Sequence, residues 1–121
     1  MKTSDLTGAN LNRAVAMALG HEVVPKPVDT FCNPADKETG AQQVWAIVVE
    51  GHICRMPNYA SDISVAWPIL IEHKIELTCN ENGFWYANNA KFWHGTYGRD
   101  PINVVLRLFV HMKLGDEVEL P

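Results

Sequence analysis

One arginine interrupts an apolar segment near the end of the chain. The segment PINVVLRLFVHMKL spans residues 101–114, and Arg107 stands at its centre among aliphatic and aromatic residues. A guanidinium carries a planar fork of N–H donors that binds carboxylates or phosphates through two parallel hydrogen bonds. Burying it without a partner would cost several kcal/mol out of a total stability of about 5–15 kcal/mol, which excludes a buried, unpaired Arg107.

Three settings remain for this side chain. Arg107 reaches water from the edge of its helix, forms a structural ion pair with Asp62 or Glu72, or holds an anionic ligand in a cleft. The first two settings require no ligand, and we favour them over the third.

A second group of polar residues could do chemistry if the fold brought it together. Tyr59 and Asp62 precede an apolar segment, and Glu72 follows it. Together with Arg107 they would line a cleft for a small ligand or for acid–base catalysis. Glu72 and the adjacent His73 are more typical of a solvated helix end, so the cleft is our alternative hypothesis.

The common signatures of catalysis and cofactor binding do not occur in the sequence: it contains no GxGxxG, GxxxxGK[ST], HExxH or GxSxG. His52 and Cys54 have the spacing that places two ligands on one face of a strand, but a tight zinc site normally needs a second such pair. A Cys–His nucleophile pair stays open, because its members meet only in the fold. We predict no metal site and no cofactor.

The three cysteines indicate a reduced protein. Cys32, Cys54 and Cys79 are odd in number, widely spaced and without a CxxC pair. Small secreted domains that depend on disulfides have denser and even-numbered cysteines. We therefore expect three free thiols that behave as small apolar side chains.

Two of the four tryptophans are candidates for a contact surface. Trp67 and Trp93 lie near predicted loops, and an exposed tryptophan often marks a binding site. Residues 92–100, FWHGTYGRD, form a second candidate contact loop. Trp45 and Trp85 fall in strand patterns and are predicted to be core residues.

Length and composition describe one ordinary globular domain over residues 1–121. The net charge is −4 and the ten Lys and Arg residues are scattered, which argues against nucleic acid as the main partner. The start of the chain is polar, which does not fit a secretory signal. No apolar run approaches the roughly 18 residues of a membrane span.

The helices that must position these residues are marked by caps. The first is predicted between Thr7 as N-cap and Gly20 after its end, and the last begins at Asp100 as N-cap with Pro101 in the first turn. A short middle helix should begin close before Pro68, because proline is tolerated in the first helical turn.

The strands are marked by β-branched and aromatic runs between turn residues. Four are predicted, at Gln43–Glu50, Ile53–Met56, Ile75–Cys79 and Phe84–Asn88. Glu50-Gly51 would close the first pair as a two-residue hairpin. Residues 21–42, rich in proline, are predicted to be a long connection. These elements indicate an α+β fold, with a small antiparallel sheet of three to four strands and about three helices packed on it.

Three stretches resemble a family of small proteins from tailed phages and prophages related to the lambdoid phage protein NinX. The stretches are LTGANLNRAVAMALG, YASDISVAWPILIEHKIEL and PINVVLRLFVHMKLGDEVELP. They cover about half of the chain, and residues 21–58 match no motif. Asn12, Ile63 and Phe109 stand where the family usually has Asp, Trp and Tyr, and Glu72 is shifted by one position.

The resemblance implies a phage or prophage origin and a location in the host cytoplasm, but no reaction. It places Tyr59, Asp62 and Arg107 inside family motifs. We predict a non-enzymatic accessory protein that binds an unknown host or phage protein, and we leave self-association open as a further alternative.

Overall fold

The computed structural model describes residues 1–121, except for the side chains of Trp93 and His94. Its described residues form four α-helices. They are α1 (Gly8–Ala18), α2 (Pro34–Glu38), α3 (Ile63–Glu72) and α4 (Pro101–Leu114), with short 3-10 helices at Thr3–Asp5 and Val28–Phe31. Helix α1 begins after Thr7 as predicted, although the Thr7 side chain makes no capping hydrogen bond. The strands are β1 (Glu22–Pro27), β2 (Gln43–Val49), β3 (His52–Arg55), β4 (Glu76–Cys79), β5 (Trp85–Asn89) and β6 (Phe92–Gly98).

The caps of α4 form as predicted. The carboxylate of Asp100 accepts hydrogen bonds from the backbone N–H groups of Ile102 at 2.9 Å and Asn103 at 3.3 Å. Pro101 occupies the first turn, where its missing N–H leaves no hydrogen bond unmade. The helix ends at Gly115, whose φ of 90° few other residues adopt.

The strands form two sheets rather than the single predicted sheet. One has the order β1-β2-β3 and the other β4-β5-β6, and every pairing is antiparallel. Strand β1 lies within the predicted connection, and it contains Pro25 and Pro27. Prolines are tolerated there because β1 is an edge strand, where an N–H can face away from the ladder.

The predicted two-residue turn between β2 and β3 is present. Val49 pairs with His52, and both turn residues have positive φ, 51° for Glu50 and 79° for Gly51. Two positive φ angles are the mark of a type I′ turn, whose twist matches that of the flanking strands.

Helix α3 begins earlier than predicted. Its N-cap is Asp62, so Pro68 lies inside the helix rather than in its first turn. Proline removes one intrahelical hydrogen bond at this point. Pro68 is exposed, so the carbonyl that would have accepted this hydrogen bond can bind water instead.

Helix α4 is central to the fold. It buries six side chains and contacts α1, α3, β5, β6 and the first 3-10 helix. Helix α1 in turn contacts β1. The contacts therefore run from one sheet through α1 and α4 to the other sheet, and the α+β class is confirmed.

The residues before the first 3-10 helix pair with the segment that follows α4. Lys2 and Glu117 form an antiparallel bridge, and the N–H of Thr3 donates to the carbonyl of Asp116 at 2.8 Å. The Thr3 hydroxyl donates to the carbonyl of Gly115 at 2.7 Å. This pairing forms one wall of a groove described below.

Candidate functional site

The structure does not bring Tyr59, Asp62, Glu72 and Arg107 together. Asp62 caps the start of α3, where its carboxylate accepts from the N–H of Ser64 at 3.0 Å, whereas Glu72 is the exposed last residue of the helix. A rise of 1.5 Å per residue places the two carboxylates about 15 Å apart along the axis. Two groups so far apart cannot act on one small ligand, so the geometry does not form the alternative cleft.

Tyr59 belongs to the core. Only 4% of its surface is exposed, and burial raises the pKa of its phenol. The adjacent loop is fastened to α1 by Asn12, whose side-chain oxygen accepts from the N–H of Ala60 at 2.8 Å. Tyr59 therefore packs rather than lines a site.

Arg107 has a hydrogen-bond partner that the sequence did not suggest. Its Nε–H donates to the backbone carbonyl of Leu6 at 2.8 Å. Among the described residues no carboxylate lies within 4.0 Å of it, so the predicted ion pair with Asp62 or Glu72 is not formed. A carbonyl acceptor has no sequence signature, which is why the pattern of residues could not reveal it.

Trp67 is exposed, as the sequence suggested, and it has apolar neighbours. Of its surface 47% is accessible, together with 57% of Ile63 and 61% of Ile71. Residues four apart lie on the same face of a helix, so these side chains form one apolar stripe along α3. Trp93, the other candidate, has a side chain outside the described residues, and its role stays a prediction.

The stripe borders a groove of about 330 Å³ between α3, α4 and the β4-β5-β6 sheet. We call it the Trp67 groove. Every residue that lines it is apolar: Ile63, Ala66, Trp67, Leu70, Leu77, Trp85, Pro101, Ile102 and Val105. Trp85 is half-buried here rather than fully in the core. The groove offers mainly apolar surface to a partner, and the only polar side-chain groups of its lining residues are the indole N–H donors of Trp67 and Trp85.

A second groove, of about 560 Å³, is polar. We call it the Arg107 groove, and its lining residues are Lys2, Thr3, Ser4, Gly95, Thr96, Tyr97, Arg107, His111, Asp116 and Glu117. It lies beside the pairing of the chain start with the segment after α4. Its charged side chains make it the place where an ionic ligand could bind.

Three arginines elsewhere are held by the protein itself. The Arg13 guanidinium lies 4.6 Å from the centre of the Trp45 ring, and burial lowers its pKa. Arg55 donates to Asp36 at 2.8 Å, and Arg99 lies 4.6 Å from the centre of the Phe84 ring. Their positions are explained by these internal contacts.

Within the described residues, no three His, Cys, Asp or Glu side chains are grouped as a metal ion requires. Cys32, Cys54 and Cys79 are free thiols. Among the described residues, none of the helices has the length and apolar character needed to cross a bilayer.

Comparison with known proteins identifies a family. The family model described as "Bacteriophage P22, NinX" matches residues 2–113. The match includes residues 21–58, for which the motifs gave no likeness, and ends before the last residues of the C-terminal motif. No curated protein matches the chain.

Proposed function

Because the chain belongs to the family of the bacteriophage P22 protein NinX, we propose that it is a phage accessory protein that acts by binding another protein in the host cytoplasm. The Trp67 groove is the surface that supports this proposal. Soluble proteins rarely expose large contiguous apolar patches without a use for them. Tryptophan is also enriched among the residues that dominate binding energy.

The dimensions of the groove suit a short helix of the partner. Along α3 the lining runs from Ile63 to Leu70, a rise of about 10 Å. Two turns of a partner helix have the same length and would place side chains at i, i+3 or i+4, and i+7 against the groove. Because the lining has no polar side-chain group other than the two indole N–H donors, these anchors should be aliphatic or aromatic.

Exposed carboxylates next to the groove determine the charge of the partner. Asp62 precedes Ile63 and Asp100 precedes Pro101, while Glu72 follows the stripe. With a net charge of −4, the chain attracts a partner whose apolar segment is flanked by Lys or Arg. We therefore expect an amphipathic helix with basic residues at its edges.

The test compares Trp67→Ser with Ile53→Ser as bait in the host. Ile53 is a matched control, because 45% of its surface is exposed on β3, away from the groove. We expect the wild type and the control to retain the same protein and Trp67→Ser to lose it. If Trp67 contributes at least about 2 kcal/mol to binding, Trp67→Ser should raise the Kd for the purified partner roughly 30-fold. Isothermal titration calorimetry measures this change.

Two outcomes would count against the proposal. Recovery of the same protein by all three baits would show that the groove is not the binding surface, and recovery of no specific protein at micromolar bait would leave the proposal without a partner. Sedimentation of the wild type as a dimer, with Trp67→Ser a monomer, would show instead that a second copy covers the groove.

A further inference from the structure

The guanidinium of Arg107 is held in one orientation. The side chain leaves the middle of α4 between Leu106 and Leu108, both with 0% exposure. Its Nε–H donates to the carbonyl of the fully buried Leu6 at 2.8 Å. This hydrogen bond uses one of the five N–H donors of the group and positions the other four.

The remaining four N–H groups lack acceptors within the described part of the chain. Nη1 and Nη2 donate no hydrogen bond to a described residue, and no described carboxylate lies within 4.0 Å. These nitrogens are not among the buried atoms without a partner, which are Nε of Arg13 and Oδ1 of Asn103. The two ends of the fork therefore face the solvent of the Arg107 groove.

Space beside the fork is kept open by a glycine. A methyl group at Gly98 would lie 3.6 Å from Nη1 of Arg107 and 3.1 Å from Cγ2 of Val104. The groove, at about 560 Å³, falls within the range of about 300–1,000 Å³ that is usual for small-molecule sites. The groove therefore has room for a small ligand beside the guanidinium.

The other charges of the groove largely offset one another. Lys2 and Glu117 are opposite each other in the bridge, so their side chains extend to the same side and offset each other. Asp116 is then left as the charge opposed to Arg107. Arg107 attracts an anion, and Asp116 repels it, in proportion to the charge of that anion. The ligand is therefore selected by how its oxygens fit the fork and not by its total charge.

We propose that the Arg107 groove binds a small molecule through a carboxylate, which Nη1 and Nη2 hold by two parallel hydrogen bonds. The geometry of the fork matches the two oxygens of a carboxylate. The Leu6 carbonyl keeps the fork in place before the ligand arrives, which lowers the entropic cost of binding. This site is separate from the Trp67 groove and does not depend on the proposed protein partner.

The experiment is an NMR titration of the ¹⁵N-labelled protein with sodium acetate, with sodium chloride at the same ionic strength as the control. We expect saturable shifts of the Arg107 Nε–H and of the Gly98 amide, with a Kd of about 1–50 mM for so small a probe. Sodium phosphate is the competing oxyanion, and the proposal requires that it bind no more tightly than acetate. Chloride should produce no saturable shift.

Three variants locate the site. Arg107→Gln should weaken acetate binding at least tenfold, and Asp116→Asn should tighten it about two- to threefold by removing the competing carboxylate. Arg99→Gln is the matched control, because this arginine lies on the Phe84 ring outside the groove, and it should leave the affinity unchanged.

The proposal is overturned by equal shifts with chloride, by unchanged binding in Arg107→Gln, or by tighter binding of phosphate than of acetate. Dispersion of the amide spectrum shows whether Arg107→Gln is folded. If Arg107→Gln is unfolded, Asp116→Asn tests the site instead. Weaker or unchanged acetate binding in Asp116→Asn would contradict a site in which Asp116 repels the ligand. The Asp116 substitution leaves the backbone hydrogen bond with Thr3 in place.

Discussion

Replacing Phe109 with alanine tests whether α4 is the centre of the fold. Phe109 is among the largest fully buried side chains, and its ring centre lies 4.7 Å from that of His73. A Phe→Ala change in a core costs about 3–5 kcal/mol, which combines lost apolar burial with the cavity left behind. Elements on several sides of α4 keep this cavity from collapsing, so we expect about 4–5 kcal/mol.

For a domain of this length 1 kcal/mol corresponds to about 4 °C in Tm, so the expected loss is about 16–20 °C. Thermal unfolding followed by circular dichroism measures it, with Ile71→Ala as the control. Ile71 is 61% exposed, and its substitution should change stability by no more than about 0.5 kcal/mol. A loss below about 5 °C for Phe109→Ala would refute the central role of α4.

Three further outcomes are expected. Asp100→Ala should lower Tm by about 4 °C, since the loss of an N-cap costs about 1 kcal/mol, and Asp100→Asn should retain most of the cap. Burial raises the pKa of Tyr59 above its ordinary value of 10.0, so the absorbance difference between wild type and Tyr59→Phe should show a phenol that ionises above pH 10. Because the unfolded chain ionises first, the stability from this burial is complete below about pH 10 and is lost as the pH rises through the folded pKa. The exposed thiols of Cys32 and Cys79 should react with Ellman's reagent before the half-buried thiol of Cys54. A fast phase that accounts for only one thiol would contradict this order.

Local signals in the sequence were sufficient for several elements. Asp100 and Pro101 predicted the start of α4 because a cap and a first-turn proline act on the nearest backbone groups. Glu50-Gly51 predicted the β2–β3 turn for the same reason, although glutamate is an unusual residue in the left-handed conformation. Each of these features depends on residues within one turn of chain.

The sequence did not predict the features that depend on contacts between residues far apart in the chain. Pro25 and Pro27 resemble a connection, and only pairing with β2 turns that segment into an edge strand. The sequence predicts a contact loop at residues 92–100, which is wrong because Phe92–Gly98 form β6, where the Tyr86 ring occupies the space next to Gly95. The division of the strands into two sheets follows from such long-range contacts.

In the candidate sites, too, the sequence predicted local features but not those that depend on long-range contacts. The exposure of Trp67 was anticipated, whereas the apolar groove beside it requires α4 and β5 to be placed against α3. Arg107 was identified as unusual from its neighbours in sequence. Its hydrogen bond with Leu6 joins residues 101 positions apart, and spacing alone contains no information about such a contact.

Helix α4 contributes to both grooves from opposite sides. Ile102 and Val105 line the Trp67 groove, while Arg107 and His111 line the Arg107 groove. At about 100° per residue, the second pair lies roughly 140–240° around the axis from the first. A protein in the Trp67 groove and a ligand in the Arg107 groove would therefore not clash. In a complex with both, each would contact a different side of α4.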